Sequence, residues 1–142
     1  MSSKVLQTSL MPTIHIFGAS GLLGSALVDF CSSSKRPYKA YSISGNNTIQ
    51  VDITSPQSVS LIGPPMLGDY VINVAAIAKP AQVFDDPENA VKVNVQGNKN
   101  LANLALSTGA KYFFMSSVEV FGGENRSLDE LTPTAPLNEY GR

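Results

Sequence analysis

The sequence predicts a doubly wound α/β domain, a parallel sheet with helices on both faces, and three observations carry that prediction. An apolar run, Thr13 to Phe17, enters a glycine-rich turn, FGASGLLG, which opens directly into apolar residues at helical spacing from Leu22 to Phe30. A nearly continuous apolar run, Tyr70 to Ala76, has the composition of a strand buried on both faces. Strand-like and helix-like stretches then alternate along the chain, and that alternation calls for parallel strands joined by right-handed crossovers.

Each element follows from its own pattern. Thr13 to Phe17 is the first strand, and Tyr38 to Ile43 and Ile49 to Ile53 are short β-prone runs, the second closing on Asp52. Pro56 to Ile62 is a short helix or a turn. From Asp86 to Ser107 the spacing sets Ala90, Val93, Leu101, Leu104 and Ala105 on one side of a long helix, which Gly109 ends. A strand, Lys111 to Ser116, follows at once, and its aromatic pair Phe113 and Phe114 reads as core. Gly122 to Leu137 is loop chemistry, rich in glycine, proline and polar residues. Residues 1–12 form an N-terminal extension, and 13–142 one nucleotide-binding domain. His15, alternating with Ile14 and Ile16, is expected to be a satisfied core or interface histidine.

Composition narrows the function classes. At 142 residues the chain is long enough for one domain with its own core. Apolar residues make up 43% and charged ones 15%, with a net charge of −1, so nothing attracts nucleic acid or an acidic membrane. Cys31 and His15 are single, which leaves no intrachain disulfide, no Cys-based metal cluster and no expected metal site, and fits a reducing cytoplasm. The opening MSSKVLQTSLMP lacks an apolar core of signal-peptide length, and no later run approaches the ~18 apolar residues of a membrane span, so a soluble cytoplasmic protein is expected. Asn46-Asn47-Thr48 and Asn125-Arg126-Ser127 fit a glycosylation pattern but read as polar loops.

The chemistry begins at Gly18, Gly21 and Gly24. Placed after the first strand and at the mouth of the first helix, these glycines allow a sharp turn, close approach of backbone to a pyrophosphate, and tight packing of helix on strand. Ser20, Gly21, Leu22, Leu23 and Gly24 then present the turn and the N–H groups of a helix start to an anion. The spacing is GxxGxxG, and GASGLLG after an opening strand resembles the extended short-chain dehydrogenase/reductase superfamily, whose members bind NAD or NADP on a Rossmann-like sheet. The resemblance covers about residues 13 to 142. It implies cofactor contacts by Asp52-Ile53 at the adenine, by Ala75 and Ala76 at the end of Asn73-Val74-Ala75-Ala76, and by Asn94 within NVQGNKNL. About 20 residues beyond the glycines, where an acid would bind the ribose and repel a 2′-phosphate, stands Ser44. With no acid there, NADP is favoured over NAD, although the nearby bases Lys35 and Arg36 lie several residues earlier.

MSSVEVFGG runs off the last strand into a loop at the carboxyl edge, where open parallel sheets bind ligands. The superfamily resemblance implies that Ser117 hydrogen-bonds a substrate oxygen, with Val120, Phe121 and Gly122 in their expected places. Tyr140 stands 23 residues later in TAPLNEYGR, and APLNxYG is similar to the dTDP-4-dehydrorhamnose reductases, in which the tyrosine protonates the oxygen of a nucleotide-linked keto sugar. A phenol with a pKa near 10 needs a nearby cation for that work. The family supplies a lysine four residues after the tyrosine, two positions beyond Arg142, and Arg142 itself points elsewhere on a helix. The chain thus reads as an N-terminal part, cut within the YxxxK element and lacking the substrate-binding region, with little or no turnover of its own and an incomplete sheet. Glu119 departs from the aromatic common in these reductases. Alternatives within the resemblance are a 4-epimerase or dehydratase, or a non-catalytic NADP-binding subunit like the regulatory β subunit of methionine adenosyltransferase. The expected partners are a nucleotide sugar, and either a second copy or a regulated protein.

Overall fold

The computed structural model describes residues 11–123 and 127–142; most of the N-terminal extension, and Asn125 and Arg126, lie outside the described residues. Five strands, β1 (Ile14–Phe17), β2 (Tyr38–Ser42), β3 (Ile49–Gln50), β4 (Tyr70–Asn73) and β5 (Lys111–Phe114), form one sheet in the order β3-β2-β1-β4-β5. Every pairing is parallel, with Phe17 beside Tyr41 on one side and Asn73 on the other. The predicted class is the observed one. Strand order reverses between β1 and β4, and the chain leaves their carboxyl ends in opposite directions, opening a crevice there.

The two-residue strand period sorts β1 between two cores. Ile16 packs with Ala19 and Cys31 beneath α1 (Leu22–Ser33). Phe17 faces the other way, into a larger core with Tyr41, Val71 and residues of α2 (Pro56–Leu61) and α5 (Asn98–Thr108). Leu101 and Ala105, one helical turn apart on α5, are fully buried there, as their spacing predicts. Each fully buried side chain of Leu or Phe size stabilises the fold by about 1.5–3 kcal/mol.

Several boundaries move, each for a local reason. The long helix expected over Asp86–Ser107 runs unbroken as α4 (Pro87–Val91), a π-helical segment (Lys92–Gly97) and α5, and it ends at Gly109. Before it lies a helix the sequence did not suggest, α3 (Pro80–Asp85); Asp86 separates the two, its carboxylate accepting the Asn89 N–H to cap α4. β3 stops at Gln50 because Asp52 turns the chain, accepting both the N–H and the hydroxyl of Thr54. β4 stops at Asn73, whose side-chain oxygen takes the Ala75 N–H out of the ladder. Burial on both faces of β4 is only partial: Val71 and Asn73 are buried, Tyr70 and Ile72 half-buried. Phe113 and Phe114 are not core, at 49% and 57% exposed. β5 is the edge strand: Phe113 lies on the α1 face beside half-buried Ile72, and Phe114 lines an open cleft.

His15 is buried, as expected, and it is satisfied. Its Nδ1 lies 3.1 Å from the Tyr41 hydroxyl and its Nε2 3.4 Å from Asp69. A neutral ring with its proton on Nε2 fits both: Tyr41 donates to Nδ1, and Nε2–H donates to the carboxylate. Tyr41 is sandwiched between His15 and Phe17, with ring centroids 5.9 and 4.5 Å away. Burial lowers the His15 pKa below 6.5 and outweighs the opposing pull of Asp69. Burial also pushes the Tyr41 phenol up to about 12. For Asp69 burial acts upward, but the N–H groups of Met66 and Thr13, together with His15, carry its pKa below the usual range. Because the folded-state pKa of His15 is depressed, its contribution to stability is complete above 6.5 and is lost as pH falls through the folded value. Melting temperature should therefore fall on acidification below pH 6.5, well before Asp69 titrates. In His15→Gln the slope in that window should vanish, whatever the change in absolute stability; thermal melts followed by circular dichroism across the window decide it.

Candidate functional site

The carboxyl end of β1 passes into the glycine turn at Gly18, with φ +86°. A Cβ there would stand 2.6 Å from the Ala75 nitrogen, and one at Gly24 would stand 2.1 Å from the Gly18 carbonyl oxygen. The turn, the first turn of α1 and the loop after β4 therefore meet backbone to backbone. Gly21 differs: its outer side is open, and a Cβ would meet only the Gly18 oxygen, at 3.3 Å. The first bond of α1 runs from the Ser25 N–H to the Gly21 carbonyl, so the N–H groups of Leu22, Leu23 and Gly24 precede the intrahelical ladder. Gly21 has no side chain to cap them, and Ser20, Gly21, Leu22 and Leu23 are exposed. Uncapped donors at the positive end of a twelve-residue helix, with exposed Gly21 as its N-cap, suit a phosphate group.

Beside this turn lies an open cleft of about 580 Å³. Its walls bring together Ala75, Ala76 and Asn94 with Ser117 and Tyr140, residues spread over the second half of the chain. Ser117 caps a single 3₁₀ turn (Val118–Val120), its Oγ accepting the Glu119 N–H, so its own hydrogen is free to point elsewhere. Tyr140 is half-buried in a turn held to that loop. Arg142 also lines the cleft, but its guanidinium is engaged by Glu139 at 2.7 Å.

Polar side chains hold the floor. Asn94, on the π-helical segment, accepts the Ile77 N–H and donates to the Ile77 carbonyl, gripping the loop after β4 at both backbone groups. Asn98 accepts from Asn73 and from the Tyr112 hydroxyl, and Asn73 in turn holds the Ala75 N–H. Burial raises the Tyr112 phenol pKa, against a smaller opposing pull from Asn73. Asn98 and Tyr112 were not anticipated from the sequence. Their signal is a polar residue at position 98, one turn after Asn94 and on the stripe that continues to Leu101 and Ala105.

The remaining candidates sit farther along the same carboxyl edge. Ser44 is exposed after β2, its hydroxyl 3.2 Å from that of Ser42, which also meets Thr48. Asp52 is half-buried and serves as the turn former described above. Ile53 is buried, its side chain against Gly97 and its carbonyl held by Asn100. Lys35 and Arg36 precede β2 and so lie at the opposite edge of the sheet from Ser44. Among the described residues no three His, Cys, Asp or Glu side chains converge on a possible metal site, and no helix is long and apolar enough to cross a membrane.

A parallel sheet with a glycine-rich turn at its switch point, and a Ser-Tyr cleft beside it, defines the extended short-chain dehydrogenase/reductase class. The chain belongs within it to the family of the RmlD substrate binding domain, whose model matches residues 12–142. Over 134 residues it is 34% identical to the dTDP-4-dehydrorhamnose reductase of Mycolicibacterium smegmatis, covering 91% of this chain and 38% of that protein. It is 30% identical over 141 residues to methionine adenosyltransferase 2 subunit beta of Mus musculus, covering 91% and 39%. Among solved structures, the dTDP-4-dehydrorhamnose reductase of Bacillus anthracis in complex with NADP superposes with a TM-score of 0.81 at 26% identity, over 94% of this chain and 46% of that one. The chain thus spans less than half the length of these relatives, and its Rossmann-like sheet is partial beside theirs.

The contacts at Gly24 and Gly21 predict opposite outcomes for the same substitution. Gly24→Ala must separate α1 from the turn and should cost on the order of 3 kcal/mol, read as a lower midpoint in urea unfolding. Gly21→Ala should leave that midpoint within about 1 kcal/mol of the parent, while weakening dinucleotide binding measured by fluorescence titration.

Proposed function

We propose that this chain is the cofactor-binding part of an NADP-preferring oxidoreductase that reduces a nucleotide-linked 4-keto sugar. The observation that carries this reading is the convergence of Ser117 and Tyr140 on one cleft with Ala75, Ala76 and Asn94, next to the uncapped start of α1. Ser20, Gly21, Leu22, Leu23 and Gly24 would hold the pyrophosphate, Asp52 and Ile53 would border the adenine, and Ser44 would meet the adenosine ribose. Support for NADP comes from the hydroxyls of Ser42, Ser44 and Thr48 at the end of β2, where no carboxylate repels a 2′-phosphate. The NADP complex of the Bacillus anthracis relative supports it too.

When bound, the nicotinamide supplies the hydride. Ser117, its oxygen already accepting the Glu119 N–H, donates its hydrogen to the ketone oxygen and polarises the carbonyl. Tyr140 delivers the proton to that oxygen as negative charge develops on it. A phenol ordinarily near pKa 10 needs a cation beside it for this step, and Arg142, which lines the cleft, meets Glu139 in an exposed pair. The 142-residue chain alone should therefore bind cofactor with little turnover. The lysine that the family resemblance implies, two positions beyond Arg142, would complete the group.

A second reading is favoured by one observation, the similarity to methionine adenosyltransferase 2 subunit beta: an NADP-binding subunit without chemistry of its own. The two are separated in a protein extended through the downstream residues and supplied with NADPH and a dTDP-4-keto sugar. The reductase reading expects NADPH oxidised in step with product, and the release of oxidised cofactor also distinguishes it from an epimerase or dehydratase. Tyr140→Phe should then lower kcat by about 10²–10⁴ with NADPH affinity unchanged. Tight binding with no oxidation in the wild type would instead establish the regulatory reading.

A further inference from the structure

Glu119, the residue that departs from the family's aromatic, is tied to Tyr140 through Asn138. Its carboxylate accepts the Asn138 side-chain N–H at 2.7 Å, and the other end of that amide, Oδ1, accepts the Gly141 N–H at 2.8 Å. Asn138 is thereby an N-cap: the Arg142 N–H reaches the Asn138 carbonyl, closing one helical turn with Tyr140 as its second residue. A side-chain amide can turn either end toward a neighbour. An ionised carboxylate only accepts, so Glu119 compels the NH₂ end toward itself and leaves the oxygen for Gly141.

Two further contacts join the same segments. The Ala135 N–H donates to the Val120 carbonyl, and Gly141 lies so close to the Glu119 carbonyl that a Cβ would stand 2.1 Å from its oxygen. Glu119 also gives its N–H to the Ser117 Oγ. One residue therefore touches the serine through its backbone and reaches the tyrosine's turn through its side chain.

We infer that Glu119 is a positioning residue, fixing Asn138 as the cap of the turn that carries Tyr140 and so setting the tyrosine opposite Ser117. The inference rests on Tyr140 as the proton donor but concerns a different residue, and two readouts separate the two ideas. The first uses the 142-residue chain. In Glu119→Ala, amide exchange at Gly141, followed by NMR, should quicken about fivefold, the loss of one cap, and the Asn138 side-chain resonances should move to positions typical of a free amide. Glu119→Gln, which keeps an acceptor oxygen but can also turn its NH₂ end toward Asn138, should restore both in part. Unchanged exchange and unchanged Asn138 resonances in Glu119→Ala would overturn the inference.

The second readout uses the extended protein. Glu119→Ala should lower kcat about tenfold while NADPH affinity holds, with Glu119→Gln again recovering part of the loss. A kcat equal to wild type would overturn the positioning role even with the cap lost. Failure of the wild type to oxidise NADPH would count against the reductase reading alone, and the exchange experiment would still decide whether Glu119 sets the turn.

Discussion

Everything at the carboxyl edge depends on the absence of two side chains. Gly18 and Gly24 let the exit of β1, the start of α1 and the loop after β4 approach at backbone distance. Parallel strands joined by helices meet a crowding problem at the switch point, where one connection departs left and the next right. With ordinary residues the gap between those connections would be filled by their own Cβ atoms. Without them, uncapped N–H groups face outward at the floor of the crevice, and Ala75 is brought against the turn. The glycine turn and the Ser-Tyr cleft therefore share one wall, the loop that begins at Val74.

That wall would be loose if the turn alone held it, since a loop departing from a strand gives up its ladder bonds. Here side-chain amides replace them. Asn73 holds Ala75, Asn94 holds Ile77 at both backbone groups, and Asn98 with Tyr112 braces Asn73 from behind. Both Asn94 and Asn98 stand on or next to the π-helical segment. One extra residue per turn shifts the helical register, so Asn94 reaches the loop while Leu101 and Ala105 still face the core. Gly97 within the same segment lies against Ile53, linking the cleft to the far end of the edge near Asp52. Rigid backbone so positioned lets a few side chains do chemistry with little reorganisation.

The parts of this design that were legible in the sequence are those governed by backbone geometry and period. Gly18, Gly21 and Gly24 announced the turn because strand and helix patterns flank them, and Leu101 and Ala105 announced the buried side of α5 by spacing alone. His15 was legible as a core histidine from the alternation around it, but its partners Tyr41 and Asp69 come from other strands and loops that no local pattern connects. Phe113 and Phe114 misled for a related reason: aromatic composition indicates a strand, while burial depends on what lies beyond the edge of the sheet. The π-helical shift was invisible because both registers keep an apolar stripe. Asp52 was recognised as a strand-end turn former, and its bonds to Thr54 are of that kind. Its place along the carboxyl edge follows only from the sheet order.

The site also separates the requirements of binding from those of chemistry. In the proposed reading a dinucleotide would be held by the start of α1, the hydroxyls around the end of β2 and the braced loop after β4, all of which adjoin the five-stranded sheet. The proposed proton transfer would take more: a serine and a tyrosine on two turns outside the sheet, and a cation to bring a phenol toward neutral pH. Those turns are held by a few polar contacts, Glu119 to Asn138 and Ala135 to Val120, rather than by core packing. Small changes there can alter the Ser-Tyr geometry without touching the fold or the glycine turn. A dTDP-4-dehydrorhamnose reductase and a methionine adenosyltransferase 2 subunit beta each align with 91% of this chain. In this chain the turn that carries Tyr140 is held by the Asn138 cap, and the side chain bonded to that cap is Glu119.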